Sequence, residues 1–305
     1  MREGRDKGQE GMIISASYRT DIPAFYGEWF MNRLRAGYCK VANPYGGQVS
    51  RISLAPEDVD GFVFWTKNLR PFADHLPEIK ERGYPFVVQF GINGYPRELE
   101  ASVIDAKASV ELLRQISADY GPRVCVWRYD TIVTSSLTPF EFHLDNFSAL
   151  ARALQGATDE VVISFLYPYK KTVRAMDQAA KEHGFTWSDP SADEKKDMAS
   201  RLVKIARDHG MQLSICAQRE YIVPGALDAR CVDAERLSDV AGRPIHAGRQ
   251  GHRKECGCWE SRDIGEYDAC PHGCVYCYAV GSAALAKKHF REHDPMSEFL
   301  VEGRQ

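Results

Sequence analysis

The feature that most constrains the fold is a repeated alternation of short apolar runs and amphipathic stretches. Apolar runs occur, for example, at 12–17, 62–65 and 86–90. Each turns polar at its end and is followed by a stretch of helical periodicity, the first two of which stop at Gly37 and Gly83. Six such runs precede residue 222. This alternation predicts parallel strands joined by right-handed crossovers, and therefore an α/β layer or barrel.

The same pattern divides the chain into three predicted parts. Residues 1–11 are polar and charged, which is typical of a disordered tail rather than a targeting peptide. Residues 12–222 carry the alternation, with a hairpin predicted at 38–54 from its turn residues. Residues 223–305, the Cys-rich segment, lack long apolar periods, as expected of a segment that metals order.

Charge and hydropathy limit the classes of partner that the sequence predicts. The 39 basic and 42 acidic residues nearly cancel, so there is no electrostatic footprint for nucleic acid or an anionic membrane, and a small-molecule substrate is the default expectation. No run of eighteen apolar residues occurs, which excludes a spanning helix. We therefore expect a cytoplasmic protein whose nine cysteines are reduced rather than paired in disulfides. The oligomeric state stays open.

The strongest chemical motif is a group of three cysteines near the end of the chain, Cys270, Cys274 and Cys277, here called the cysteine triplet. A glycine-containing loop with these spacings can turn all three sulfurs toward one metal cluster. The motif contains no obvious fourth donor, so a 4Fe–4S cluster held there would keep one iron open to bind and activate a ligand. The alternative is a structural site, either zinc or a closed cluster, since short Cys spacings commonly hold zinc.

Four further cysteines form a candidate second site. They are here called the second thiol group and comprise Cys216, Cys231, Cys256 and Cys258. Four thiols suit a tetrahedral zinc ion or an auxiliary iron–sulfur cluster, although the single residue between Cys256 and Cys258 is short for a zinc knuckle. Direct substrate binding and simple burial remain alternatives. Cys39 and Cys125 lie in apolar or hairpin contexts and are interpreted as buried small hydrophobic residues.

The triplet, with the aromatic Tyr276 just before its last cysteine, resembles the signature of radical S-adenosylmethionine (SAM) enzymes. The resemblance implies that the open iron binds SAM and that an electron cleaves one of its carbon–sulfur bonds. It implies an electron donor such as flavodoxin or ferredoxin, and a partial (β/α)6 TIM-like barrel whose strand ends the Cys-rich segment covers. In ordinary members the three cysteines follow the first strand, where this chain has Ser17-Tyr18-Arg19.

Polar residues at predicted strand ends are the candidates to bind SAM, because ligands of α/β folds bind at the carboxyl ends of the strands. Arg is suited to a carboxylate because its planar fork pairs with both oxygens. Any one of these residues could equally be a cap or loop contact, so the prediction depends on the set. The candidates are Ser17, Arg19, Lys67, Gln89 and Arg128, together with Tyr276 of the motif.

Over residues 12–300 the chain resembles the DUF1848 family, a bacterial group named for its unknown function. The residues that carry the resemblance are Ser17-Tyr18-Arg19-Thr20-Asp21-Ile22-Pro23, Asn43-Pro44, Phe64-Trp65-Thr66-Lys67-Asn68, Cys256-x-Cys258, Ser261-Arg262-Asp263-Ile264-Gly265 and the triplet. The resemblance implies a radical-SAM-like protein with its cluster motif at the other end of the chain. It also implies a link to natural-product pathways such as arsinothricin synthesis, in which a 3-amino-3-carboxypropyl group of SAM would be transferred to trivalent arsenic.

The sequence therefore predicts a noncanonical radical SAM enzyme, a transferase or lyase, that modifies a small molecule. Two alternatives come from other classes. One is a non-radical metalloprotein in which zinc or an iron–sulfur cluster is structural. The other is a barrel hydrolase with zinc as the Lewis acid.

Overall fold

The structure is a computed structural model that describes residues 11–44, 46–251 and 255–302. Of the predicted tail at 1–11, only Gly11 falls within these ranges. In chain order the strands are β1 (Met12–Ala16), β2 (Tyr38–Ala42), β3 (Val49–Ser53), β4 (Val59–Thr66), β5 (Phe86–Gly91), β6 (Cys125–Ile132), β7 (Thr134–Ser135), β8 (Glu160–Phe165), β9 (Trp187–Ser188), β10 (Gln212–Ile215), β11 (Leu227–Asp228) and β12 (Arg262–Asp263).

Helices connect most of these strands. The α-helices of the described residues are α1 (Ile22–Phe25), α2 (Gly27–Ala36), α3 (Leu76–Glu81), α4 (Ala106–Tyr120), α5 (Phe140–Leu154), α6 (Lys170–His183), α7 (Ala192–Asp208), α8 (Ala234–Ala241) and α9 (Ala283–Arg291). Short 3-10 helices span Arg70–His75 and Arg219–Tyr221. Side-chain caps help to define the starts of several helices. Ser191 and Glu194, for example, form a capping box at α7.

The central element is a parallel sheet of eight strands in the order β11-β10-β8-β6-β5-β4-β1-β12. Its six inner strands are the six predicted from the apolar runs, so the predicted α/β class is confirmed. The predicted hairpin is also confirmed, as the antiparallel pair β2–β3. The sheet is open: within the described residues β11 and β12 are its edges and no barrel closes.

Both edge strands come from the Cys-rich segment, which also contains the eight-residue helix α8. The expectation that regular alternation stops after residue 222 did not anticipate these elements. Two-residue strands carry no periodicity of their own and form only because a neighbouring strand offers unpaired backbone groups. The segment is therefore part of the sheet as well as a cover for it.

The two faces of the sheet are covered by different parts of the chain. Consecutive strand residues point to opposite faces, so Phe62 and Phe64 of β4 lie in the larger core with Trp29 of α2 and Phe147 of α5, while Val63 points the other way. On that second face, valines and an isoleucine from five strands contact the Cys-rich segment, including Leu237 of α8. Helices α2, α4, α5 and α7 cover one face, and the Cys-rich segment with its helix α8 covers the other.

No helix in the described ranges has the length and apolar character needed to cross a lipid bilayer.

Candidate metal centre

The loop that carries the cysteine triplet is paired along its backbone with the chain that follows β5. The amide of Ser102 donates to the carbonyl of His272 at 2.9 Å, and the amide of Val275 donates to the carbonyl of Leu99 at 3.1 Å. Between the first two cysteines, Gly273 has φ of +73°, in the left-handed region that a side chain disfavours. The tight turn of the triplet therefore depends on glycine at this position and on a neighbouring segment that holds it.

A second anchor joins the triplet loop to the loop after β1. Asp21 and His272 are 251 positions apart in sequence, yet Asp21 Oδ2 lies 2.7 Å from His272 Nε2. The same carboxylate accepts from the amide of Lys67 at 2.7 Å and, through Oδ1, from the amide of Ala24 at 2.9 Å. Asp21 thus fixes the ends of β1 and β4 and the start of α1 relative to the triplet.

The three thiols of the triplet are partly buried and interact electrostatically with one another. Burial raises the pKa of all three above the ordinary value for cysteine. The charge of Asp21 raises the pKa of Cys270 further, whereas the ammonium of Lys67 opposes the rise at Cys274. Because a thiolate is the metal-binding form, a positively charged bound group is what would offset the repulsion between three such ligands.

Lys67 is held beside Cys274 by Glu100. Its ammonium donates to Glu100 Oε1 at 2.8 Å, and the side chain of Glu100 is only 4% exposed. The hydroxyl of Tyr276 donates to the same carboxylate oxygen and accepts from the Nδ2 of Asn93 at 3.3 Å. Burial lowers the pKa of Lys67, but Glu100 and Cys274 outweigh it and raise the pKa above its ordinary value. Lys67 is therefore positively charged beside the triplet.

Asp263 in β12 places two of the other candidate residues. Ser17 Oγ donates to Asp263 Oδ1 at 2.6 Å, and Arg19 Nε donates to the same oxygen at 2.9 Å. Gly265 is required here because a Cβ at that position would lie 2.0 Å from Ser17 Oγ. Ser17 and Arg19 are thus engaged in joining β1 to the Cys-rich segment.

Gln89 and Arg128 lie instead at the second thiol group. Gln89 Nε2 donates to the carbonyl of Cys231 at 2.8 Å, and Arg128 Nη1 lies 3.0 Å from Cys231 Sγ. Arg128 also pairs with Asp130 and lies over the ring of Trp65, 5.0 Å from its centre. The two residues selected to orient the carboxylate and ribose of SAM therefore contact Cys231, and their role in SAM binding stays a prediction.

The structure brings the four cysteines of the second thiol group together. The sulfurs of Cys216 and Cys231 are 3.5 Å apart, and the thiol of Cys258 interacts with those of Cys231 and Cys256. Cys216, Cys231 and Cys258 are buried on the sheet face that the Cys-rich segment covers. Cys39 and Cys125 lie in the larger core, where the sequence had placed them as hydrophobic residues.

Both thiol groups consist of donors that suit thiophilic metals, since iron and zinc bind thiolate sulfur. As the side chains stand, no group of three or more His, Cys, Asp or Glu residues within 11–44, 46–251 and 255–302 is arranged to hold a metal ion. The donor sets suit such a ligand by their chemistry and burial, and binding would require the cysteine side chains to rotate.

Three carboxylates at the triplet and at the β1 edge were not selected from the sequence as site residues. Asp21 and Asp263 stand in the sequence only as parts of family motifs. Glu100 belongs to no motif, and no local signal would have identified it, because its partners Lys67 and Tyr276 are distant in sequence. A buried acidic residue becomes informative only when its neighbours are known.

Comparison with known proteins gives a family and little beyond it. No curated protein matches the sequence. One solved structure, described as the crystal structure of D-hydantoinase, aligns with 79% of this chain and 48% of its own, at 10% identity and a TM-score of 0.29. This chain thus spans about half the length of that protein, and a similarity at that score supports no conclusion about fold or function. The sequence pattern of a family described as "Domain of unknown function (DUF1848)" matches residues 13–279. The resemblance seen in the motifs is thereby confirmed, and the chain belongs to the DUF1848 family.

Proposed function

We propose that the protein is a noncanonical radical SAM enzyme, with the cysteine triplet as the ligands of a 4Fe–4S cluster. The observation that carries the proposal is the set of three partly buried thiols on one loop, because the carboxylates that act on these thiols already have partners. Asp21 bonds to His272 and to backbone amides, and Glu100 bonds to Lys67 and Tyr276. Three sulfur ligands without a fourth protein donor are what an iron open to SAM requires.

The position of the triplet supports the same reading. The Cys-rich segment carries it to the loop after β1, where the cysteines of ordinary radical SAM enzymes lie in sequence. In this proposal the open parallel sheet is a partial barrel, and the triplet lies at the carboxyl ends of β1, β4 and β5. This end of parallel strands is where α/β proteins bind their ligands.

When bound, the cluster would supply one electron to the sulfonium of SAM, so that one carbon–sulfur bond breaks and a carbon radical is released. The residues of the chain hold and shield this chemistry. Lys67 places a positive charge beside Cys274, and Glu100 fixes Lys67 and Tyr276. The His272–Asp21 contact holds the loop against β1 and β4. Ser17 and Arg19 lie at the rim of the same strand ends, where they remain candidates to contact SAM.

The proposal includes a cytoplasmic location, a small-molecule substrate and an electron donor such as flavodoxin or ferredoxin. Its narrower form is 3-amino-3-carboxypropyl transfer to trivalent arsenic. Soft thiol ligands are compatible with arsenite as a substrate. The two forms differ in which bond of SAM breaks, and the products distinguish them.

The test is anaerobic reconstitution of the full chain with iron and sulfide, followed by SAM and a strong reductant. We expect broad visible absorbance, an electron paramagnetic resonance signal that changes when SAM is added, and cleavage of SAM. Methylthioadenosine would report the 3-amino-3-carboxypropyl radical, whereas 5′-deoxyadenosine would report the 5′-deoxyadenosyl radical.

Cys39→Ala is the matched control, because Cys39 is a buried thiol outside both thiol groups. It should reconstitute like the unaltered chain, while Cys270→Ala should not. A protein that takes up only zinc and never cleaves SAM would contradict the proposal and favour the structural metalloprotein.

A further inference from the structure

Two sulfurs of the second thiol group, those of Cys216 and Cys231, lie as close together as two ligands of one metal ion. The sulfurs of Cys216 and Cys231 are 3.5 Å apart. Two thiolates on one tetrahedral zinc ion are about 3.8 Å apart, as follows from zinc–sulfur bonds of about 2.3 Å. In a four-iron cluster each cysteine binds a different iron, which places the sulfurs further apart than two ligands of one ion.

The sulfurs of the other two cysteines are linked to this pair through Cys258. The thiol of Cys258 interacts with those of Cys231 and Cys256, so the four thiols follow one another in the order 216, 231, 258 and 256. The amide of Val232 donates to Cys258 Sγ at 3.4 Å, which fixes that sulfur next to Cys231. These are contacts between thiols. Metal binding would exchange them for metal–sulfur bonds after small side-chain rotations.

The surroundings favour a closed site. Three of the four cysteines are less than 9% exposed, at 7% for Cys216 and 3% each for Cys231 and Cys258. Valines of the sheet pack around them. Arg128 Nη1 lies 3.0 Å from Cys231 Sγ and supplies a positive charge beside a ligand set that is anionic when deprotonated. No substrate-sized opening is needed, because a structural zinc site uses all four ligands.

We propose that Cys216, Cys231, Cys256 and Cys258 bind a single zinc ion that fastens the Cys-rich segment to the sheet face opposite the larger core. Cys216 follows β10 and Cys231 follows β11, while the other two precede β12. The ion therefore joins the end of the sheet's last inner strand to the segment that leads to the opposite edge. Its role is structural, and it is independent of the ligand of the cysteine triplet.

The test uses the full chain produced with zinc and purified without iron or sulfide, with metal content measured by mass spectrometry. A triplet variant, Cys270→Ser with Cys274→Ser and Cys277→Ser, should keep one zinc per chain. A second variant, Cys231→Ser with Cys258→Ser, should lose it. If the second variant retains zinc at the level of the triplet variant, the proposal is wrong.

Because the second variant could fail to fold, the unaltered chain provides an independent readout. Bound zinc should protect the second thiol group from alkylation, and a chelator should remove that protection at all four positions together. Cobalt substituted for zinc should give the intense sulfur-to-metal absorption of tetrathiolate sites. Free alkylation of these cysteines in the zinc-loaded chain, or a disulfide between any two of them, would overturn the inference. Failure of SAM cleavage would leave it untouched, and zinc binding alone would not support radical chemistry.

Discussion

The cysteine triplet lies among ionisable side chains, whereas the second thiol group lies against valines of the sheet. Lys67, Glu100 and Asp21 surround the triplet, and each of the two carboxylates already has partners. At the second thiol group, the charged side chain of Arg128 contacts the sulfur of Cys231. In our proposals, the three thiols in polar surroundings hold a reactive ligand and the four thiols on the apolar face hold a closed structural one.

The largest expected effect comes from comparing one variant of the triplet with one variant of the second thiol group. Cys274→Ala should abolish iron uptake and reduce SAM cleavage to background, while zinc content stays unchanged. Cys258→Ser should abolish zinc binding, while folded protein still reconstitutes iron at the triplet. Iron, zinc and cleavage products measured on the same samples would check both outcomes. If either variant lost both metals while remaining folded, the two groups would not be independent sites.

Removal of zinc should be the next largest effect, expressed in stability. A structural zinc site contributes directly to folding, so we expect a chelator to lower the free energy of unfolding by about 4 kcal/mol and Tm by roughly 10 °C. Calorimetry with and without chelator would measure this shift. The Cys231→Ser and Cys258→Ser double variant should show no further loss on chelation, which serves as the control.

Acid should also destabilise the fold through a group that lies outside both thiol groups. This effect must be subtracted from any pH dependence that is assigned to the thiols. Burial lowers the pKa of His143 to about 4, and its backbone hydrogen bonds at Val133 and Thr138 only partly oppose this. The unfolded chain protonates this ring near pH 6.5. The contribution of this ring to the free energy of unfolding is therefore fully present above that pH. It falls by about 3 kcal/mol as the pH falls toward 4.

Urea unfolding at pH 7.0, 5.5 and 4.5 should reveal this loss, and His143→Gln should flatten it between those values. The buried ring has partners that suit its neutral form, because Nδ1 lies 2.9 Å from the hydroxyl of Tyr129 and Nε2 lies 3.0 Å from the carbonyl of Val133. An unchanged acid profile in the variant would assign the sensitivity to other groups, the thiol groups among them.

The smallest effect should come from the charged surroundings of the triplet. Glu100→Gln would leave Lys67 with a weaker partner, so that the cation beside Cys274 is less firmly held. Changes to residues that support metal ligands commonly cost about 10–100-fold, and we expect a loss of SAM cleavage in that range. Glu78→Gln, which alters an exposed pair with Arg35, is the matched control and should leave cleavage unchanged. Equal losses of SAM cleavage in the two variants would show that the charged surroundings of the triplet do not contribute to its activity.

The alternation of apolar runs was sufficient to predict the six inner strands, because a buried parallel strand needs a continuous apolar run and a following helix to cover it. The cysteine motif predicted a metal centre at the triplet, and that metal centre stays a prediction. The local pattern could not predict β11 and β12, since two residues carry no period. Nor could it predict that Arg128 and Gln89 lie beside Cys231 rather than beside the triplet, because both contacts with Cys231 join residues far apart in the chain.

By itself, the sequence determined the α/β class, the parallel direction of the strands and the supply of thiols, because periodicity and residue chemistry act locally. Only the tertiary structure decided that the Cys-rich segment adds a strand to each edge and covers one face of the sheet. It alone also brought His272 to Asp21 and divided the thiols between two environments. These features depend on contacts between residues up to 251 positions apart. The free energy of such contacts comes from burial and pairing between distant residues, which the pattern of a short stretch of sequence does not contain.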